Sequence, residues 1–239
     1  VLFADSNDDR ITFPFSDPLA IPSFSFPAFS RNRNSDVQFS SLFIQDQVDI
    51  GRHLIVVGGL RYDRFDIGVT DLLEVANGPD DGNDGRLGRV DEELSPRIGV
   101  IVKPVDQLSV YASYNRSFLP RSGDQFLSLS PSDETLAPEE FRNYEVGVKW
   151  DATNELSITA AVFRLERESG TTVDPNDPDN TLLIGSRTEG FELQVVGAVL
   201  PRWSITAGYS YLDGQETGRV VGDELANRTL AQVPEQMFS

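Results

Sequence analysis

His53 is the only histidine, and the chain has no cysteine. A thiolate nucleophile, a disulfide and a cysteine-bearing zinc site are therefore excluded, and any histidine-based triad would have to use His53. That residue stands beside the short turn at Gly51 with no G-x-S-x-G motif near it, so a surface histidine is expected. The carboxylate pairs Glu92-Glu93 and Glu139-Glu140 are sequence neighbours. In extended chain neighbouring side chains project to opposite faces, so their adjacency is no evidence of an acid–base pair. There is no P-loop and no dinucleotide fingerprint. Asp80-Asp81-Gly82-Asn83-Asp84-Gly85, with Asp91 in the twelfth place, partly mimics a calcium loop, but Gly82 stands where a ligand belongs. The run from Asp174 to Asn180 reads first as a turn cluster. The expectation is a non-enzyme with no metal site and no covalently bound cofactor. One group does invite a ligand: Tyr111, Asn115, Phe118, Arg121 and Phe126, in which aromatic faces near a guanidinium could stack on and pair with a planar anion.

The elements that would position such a group are strands. Apolar residues recur at every second position in 94–104 (Leu94, Pro96, Ile98, Val100, Val102) and in 107–118 (Leu108, Val110, Ala112, Tyr114). The same holds in 143–150 (Tyr144, Val146, Val148, Trp150) and in 203–211 (Trp203, Ile205, Ala207, Tyr209, Tyr211). Residues 54–62, 156–162 and 191–199 repeat the pattern, while 37–50 slips phase near Ser40 and Ser41, as at a bulge. Each strand has one apolar and one polar face.

The connections alternate in length. Short links fall near 50–52, 104–106, 152–154 and 200–202, and long polar ones near 67–93, 119–139, 168–186 and 214–228. Strands joined this way form an antiparallel meander with tight turns at one end and long loops at the other. Transmembrane β-barrels sort their loops so, with a lipid-facing apolar band, aromatic girdles and a polar interior. Trp150 and Trp203 sit beside short turns, and Tyr62, Tyr114, Tyr209 and Tyr211 lie toward the long-loop ends, which reads as two girdles. No window approaches the roughly 18 apolar residues that a membrane helix needs.

The charge excludes another class. Among 239 residues, 20 are basic and 38 acidic, for a net charge of -18 and a pI near 4.3. A nucleic-acid partner held by phosphate contacts does not fit that balance. Eighteen of the basic residues are Arg, which keeps its charge when partly desolvated and forks onto carboxylates. The stretch from Asp66 to Glu93 holds nine acidic residues and two Arg, a solvated surface.

The runs GLRYDRFD (59–66), SPRIGVIVKP (95–104), YASYNRSFLP (111–120), PEEFRNYEVGVKWD (138–151), SRTEGFELQVVG (186–197) and WSITAGYSYLDG (203–214), preceded by LFIQDQVDI (42–50), resemble the barrel of TonB-dependent siderophore receptors. The resemblance covers about residues 37–215. It implies a 22-stranded barrel in the bacterial outer membrane, an N-terminal plug, and uptake of a ferric siderophore driven through a TonB-type energy-coupling complex. On this reading residues 1–239 are a partial barrel: 1–35 an extracellular loop, 36–239 strands, with plug, TonB box and C-terminal strands outside the chain. Outer-membrane lipid, the siderophore–iron complex and the coupling complex are the expected partners.

Alternation assigns Arg61, Asp63, Arg97, Tyr111, Asn115, Glu145 and Lys149 to the polar, lumen-facing side. There they could contact plug or ligand, although a charge ladder pairing across neighbouring strands is the favoured reading. Two other classes remain open: a passive porin or structural outer-membrane barrel, and a soluble secreted β-rich binding domain.

Overall fold

The computed structural model describes residues 2–3, 31–78, 84–121, 129, 136–174, 177–200, 202–218 and 229–239. They form β1 (Leu2–Phe3), β2 (Arg31–Ile50), β3 (Leu54–Asp71), α1 (Leu72–Asn77), β4 (Arg86–Val105), β5 (Leu108–Leu119), β6 (Glu139–Asp151), β7 (Leu156–Asp174), β8 (Asp177–Leu200), β9 (Trp203–Gly218) and β10 (Gln236–Phe238). Each strand is hydrogen-bonded to the next in chain order, from β1 to β10. The sheet is the antiparallel meander that the alternation and the loop lengths imply.

Register turns the period-2 pattern into rows. One apolar row runs Val100–Ala112–Val146–Val162–Phe191–Tyr211, and the next runs Val102–Val110–Val148–Ala160–Leu193–Tyr209. Their side chains stand out into the surroundings: Val146, Val162 and Val110 are 52%, 53% and 40% exposed. A sheet that leaves such a band uncovered matches an apolar solvent and is at odds with a soluble sandwich, whose apolar face is packed inside. Among the described residues no helix is long and apolar enough to cross a membrane.

The chain forms two compact units. The larger comprises 40–64, 91–120 and 137–239 and carries the rows above. The smaller comprises 1–39, 65–90 and 121–136, and its core is Ile67, Val69 and Leu129, with Val37, Phe65 and Leu87 packed around them. Here the buried apolar residues of β3 are odd-numbered, whereas Leu60 and Tyr62 of the same strand are even-numbered and exposed. Arg33 ties this core together, pairing with Asp71 at 3.1 Å and donating to the Leu129 carbonyl at 3.3 Å. Asp71 also caps α1 by accepting from the Leu73 N–H. Burial pushes its carboxyl up, but the Arg33 bond and backbone N–H groups of Leu73 and Glu74 outweigh this and hold it below the usual carboxylate range. Gly85, with φ +75°, closes the loop where the Asp71 N–H donates to its carbonyl; a Cβ there would lie 3.0 Å from the Asp71 carbonyl oxygen.

Several boundaries differ from the sequence expectation. Strand β2 begins at Arg31 instead of 36, because Leu2 and Phe3 pair with Asn32 and Arg31 and give this polar stretch backbone partners. The expected loop at 67–93 is shorter, since β3 continues to Asp71 and α1 follows. The expected loop at 168–186 is largely strand: β7 reaches Asp174 and β8 starts at Asp177, paired from Gly170 with Ile184 to Asp174 with Asp177. Polar composition reports solvent around a segment, whereas strand formation depends on backbone pairing. The short turns fall at 51–53 and 106–107, one to two residues later than the expected 50–52 and 104–106.

Candidate functional site

The polar face of the larger unit is built from residues that register sets side by side. Tyr111 lies opposite Gly147, and a Cβ at that glycine would come within 2.5 Å of the phenol ring, so the glycine leaves the room that the ring fills. The Tyr111 hydroxyl donates to a Glu145 carboxylate oxygen. Tyr111, Glu145, Glu192, Gln194, Thr159 and Ser210 share a concavity of about 490 Å³. Among the described residues neither Glu145 nor Glu192 has an ion-pair partner. Glu192 was not among the residues that the sequence singled out. Its even position among odd apolar residues in 191–199 was the available signal, but only register shows that it joins Tyr111.

The remaining sequence candidates are dispersed. Arg61 and Asp63 pair at 2.8 Å along one strand, with Asp63 buried. Arg97, Asn115 and Asn143 form one row, and Lys149 lies between Ser109 and Thr159, exposed and outside any ion pair among the described residues. Phe118 has the parity of Tyr114, and the pairing of β5 with β6 is unbroken from Leu108 to Leu119. Phe118 is therefore on the face opposite Tyr111 and Asn115. Arg121 is buried in the smaller unit. Phe126 lies outside the described residues, as do parts of the Asp80–Gly85 and Asp174–Asn180 runs. Among the described residues no acidic or histidine cluster could hold a metal ion. His53 is a turn clamp: its Nδ1–H donates to the Lys103 carbonyl at 2.7 Å, and the Lys103 N–H donates back to the His53 carbonyl.

Cross-strand charge pairs are present, Arg167 with Glu139 at 2.6 Å on the polar parity and more of them on the other parity. Arg116 pairs with Glu93 at 2.9 Å and Glu140 at 2.8 Å, and Arg142 with Glu140 at 2.5 Å and Glu168 at 2.8 Å. Arg164 pairs with Glu189 at 2.6 Å, and Arg64 with Glu92. Arg116, Arg142, Glu166 and Arg187 form one row, directly beyond the row Tyr114–Tyr144–Arg164–Glu189–Asp213. The ladder thus begins where the apolar rows end. The Tyr114 and Tyr144 rings touch at the boundary, 5.0 Å between centroids. Near the short turns, Trp150 and Trp203 are 48% and 57% exposed on the apolar parity.

An exposed apolar band, aromatic residues at both margins and a polar opposite face define the wall of a transmembrane β-barrel. The chain matches the family described as TonB dependent receptor-like, beta-barrel, over residues 4–239. It belongs to that family, whose members are bacterial outer-membrane proteins. It is 30% identical over 191 residues to a protein of Acinetobacter baumannii described as "Probable TonB-dependent siderophore receptor PiuA", covering 77% of this chain and 25% of that one. It is 29% identical over 230 residues to the metal-pseudopaline receptor CntO of Pseudomonas aeruginosa, covering 88% and 30%. The crystal structure of the siderophore receptor PiuA from Acinetobacter baumannii superposes with a TM-score of 0.69 at 26% identity, covering 86% of this chain and 31% of that one. The chain thus spans a quarter to a third of the length of these relatives.

Proposed function

We propose that the receptor containing this chain imports a ferric siderophore across the outer membrane in a cycle energised by TonB. The family match, joined to relatives named as siderophore and metal-pseudopaline receptors, carries this reading. In it the apolar rows meet acyl chains and the polar parity lines an enclosed passage. Glu145 and Glu192, gathered around Tyr111 without cationic partners among the described residues, receive basic side chains of the segment that fills the passage. Asn115, on the polar parity one residue beyond Tyr114, is the candidate contact for the chelate at the mouth, through its side-chain amide. Phe118, with the opposite parity, faces the membrane side. The chain does no covalent chemistry in this scheme; it binds, encloses and releases.

The test is uptake of radiolabelled ferric siderophore by cells carrying the full-length receptor, with and without the coupling protein. Uptake that disappears without the coupling protein is expected. Undiminished uptake in its absence would replace this reading with that of a passive porin.

A further inference from the structure

The apolar parity holds a groove independent of any transported cargo. Val146 and Val162 lie side by side on β6 and β7 and form its floor, about half exposed. Larger rings stand around them, with Phe191 and Tyr211 continuing the same row and Tyr144 in the row beyond. Because small side chains sit between large ones, the wall is concave there, with a volume of about 580 Å³. Along one margin runs a row of charge, Arg164–Glu189–Asp213 on neighbouring strands. The groove therefore straddles the level at which acyl chains give way to headgroups.

The charges at this margin are not balanced. Arg164 gives its Nε–H and an Nη2–H to one Glu189 oxygen, at 2.8 and 2.6 Å, and its Nη1 faces Glu166 at 3.8 Å, beyond hydrogen-bond reach, so three of the five guanidinium donors are left without a hydrogen bond. Asp213 accepts only from the Gln215 amide, at 3.3 and 3.4 Å, and has no cationic partner among the described residues. One end of the row thus offers spare donors, and the other an unmatched carboxylate. Between them stands Glu189, held by Arg164, and beside the row lies apolar surface continuous with the lipid-facing rows.

We propose that this groove holds one lipid whose headgroup combines a phosphate with a primary ammonium. Acyl carbons cover Val146, Val162 and Phe191, the phosphate takes the free donors of Arg164, and the ammonium donates to Asp213. A purely anionic headgroup satisfies Arg164 but sets negative charge against Asp213. A trimethylammonium headgroup has the right charge but no N–H to donate.

The full-length receptor, stripped of lipid in detergent, is titrated with phosphatidylethanolamine, phosphatidylglycerol or phosphatidylcholine of identical chains and followed by native mass spectrometry. One phosphatidylethanolamine is expected to bind about fivefold more tightly than either competitor, the scale of one headgroup charge contact near a membrane surface. Asp213→Asn should erase that preference while weak binding of all three persists. Val162→Trp, which fills the groove, should abolish the tight equivalent. Both variants lie on the exposed face, and retained heat-modifiable migration on gels shows that they fold. Equal binding of the three lipids, an unchanged preference in Asp213→Asn, or a persistent tight equivalent in Val162→Trp would each overturn the proposal.

Discussion

Replacing Val110 with arginine tests the assignment of faces directly. Val110 lies in the row Val102–Val110–Val148, four residues from Tyr114 and two from Leu108, which pairs with Trp150. At about 3.3 Å per residue and a tilt near 40°, that puts it roughly 10 Å from the tyrosine margin and about 5 Å from the tryptophan margin. Its side chain is 40% exposed, so an arginine there would meet the surrounding solvent and not a protein core. An arginine at the midplane of a barrel's lipid face costs about 2–4 kcal/mol and about 0–1 kcal/mol near the interfaces, so about 1–3 kcal/mol is expected. Ser109→Arg, one residue away on the polar parity, is the control and should cost under about 1 kcal/mol. Denaturant unfolding of the full-length receptor in lipid vesicles gives both values. Equal costs at the two positions would refute the assignment of opposite faces, whatever their size.

Leu129→Ala should loosen the smaller unit by about 2–5 kcal/mol, the range for truncating a fully buried leucine, and hydrogen exchange at the Ile67 and Val69 amides should quicken accordingly. Gly147→Val is expected to cost about 1–3 kcal/mol by driving a side chain into the Tyr111 ring, and less when combined with Tyr111→Ala; additive costs in unfolding experiments would contradict the proposed packing. Asp71 yields a pH dependence. Because its folded pKa lies below the ordinary 3.8, its contribution is complete above that pH and is lost as pH falls through the lower folded value. Exchange protection around Leu73 should therefore decline below about pH 4, and Asp71→Asn should flatten that decline.

The faces of the strands were legible because a strand alternates with period 2, so Val100, Val110, Val146 and Tyr209 announce their side without reference to any neighbour. The tight turns were legible from Gly51 and from the breaks in alternation at 104–106, 152–154 and 200–202. The hairpin joining β7 and β8 was not, since the polar residues of 168–186 look alike in a loop and in a strand that continues into water. Nor was α1, whose six residues hold too few turns for a helical period to emerge. The rim candidates were drawn from sequence proximity, and Phe118 shows the limit of that approach: seven residues along from Tyr111, it occupies the opposite face.

What the residue order determined by itself was the alternation, and with it an antiparallel meander with one oily side and the family that its motifs resemble. What only the tertiary structure decided was who stands beside whom. Alternation fixes the side of a sheet but not the register, which is set jointly by pairs across strands and by irregularities such as those between Val102 and Val105 and between Arg167 and Gly170. Register alone lays Tyr111 over Gly147 and lines up Arg164, Glu189 and Asp213 above two valines. The packing of Leu129 against Ile67 and Val69 joins residues sixty positions apart, and no local pattern in the sequence encodes that contact.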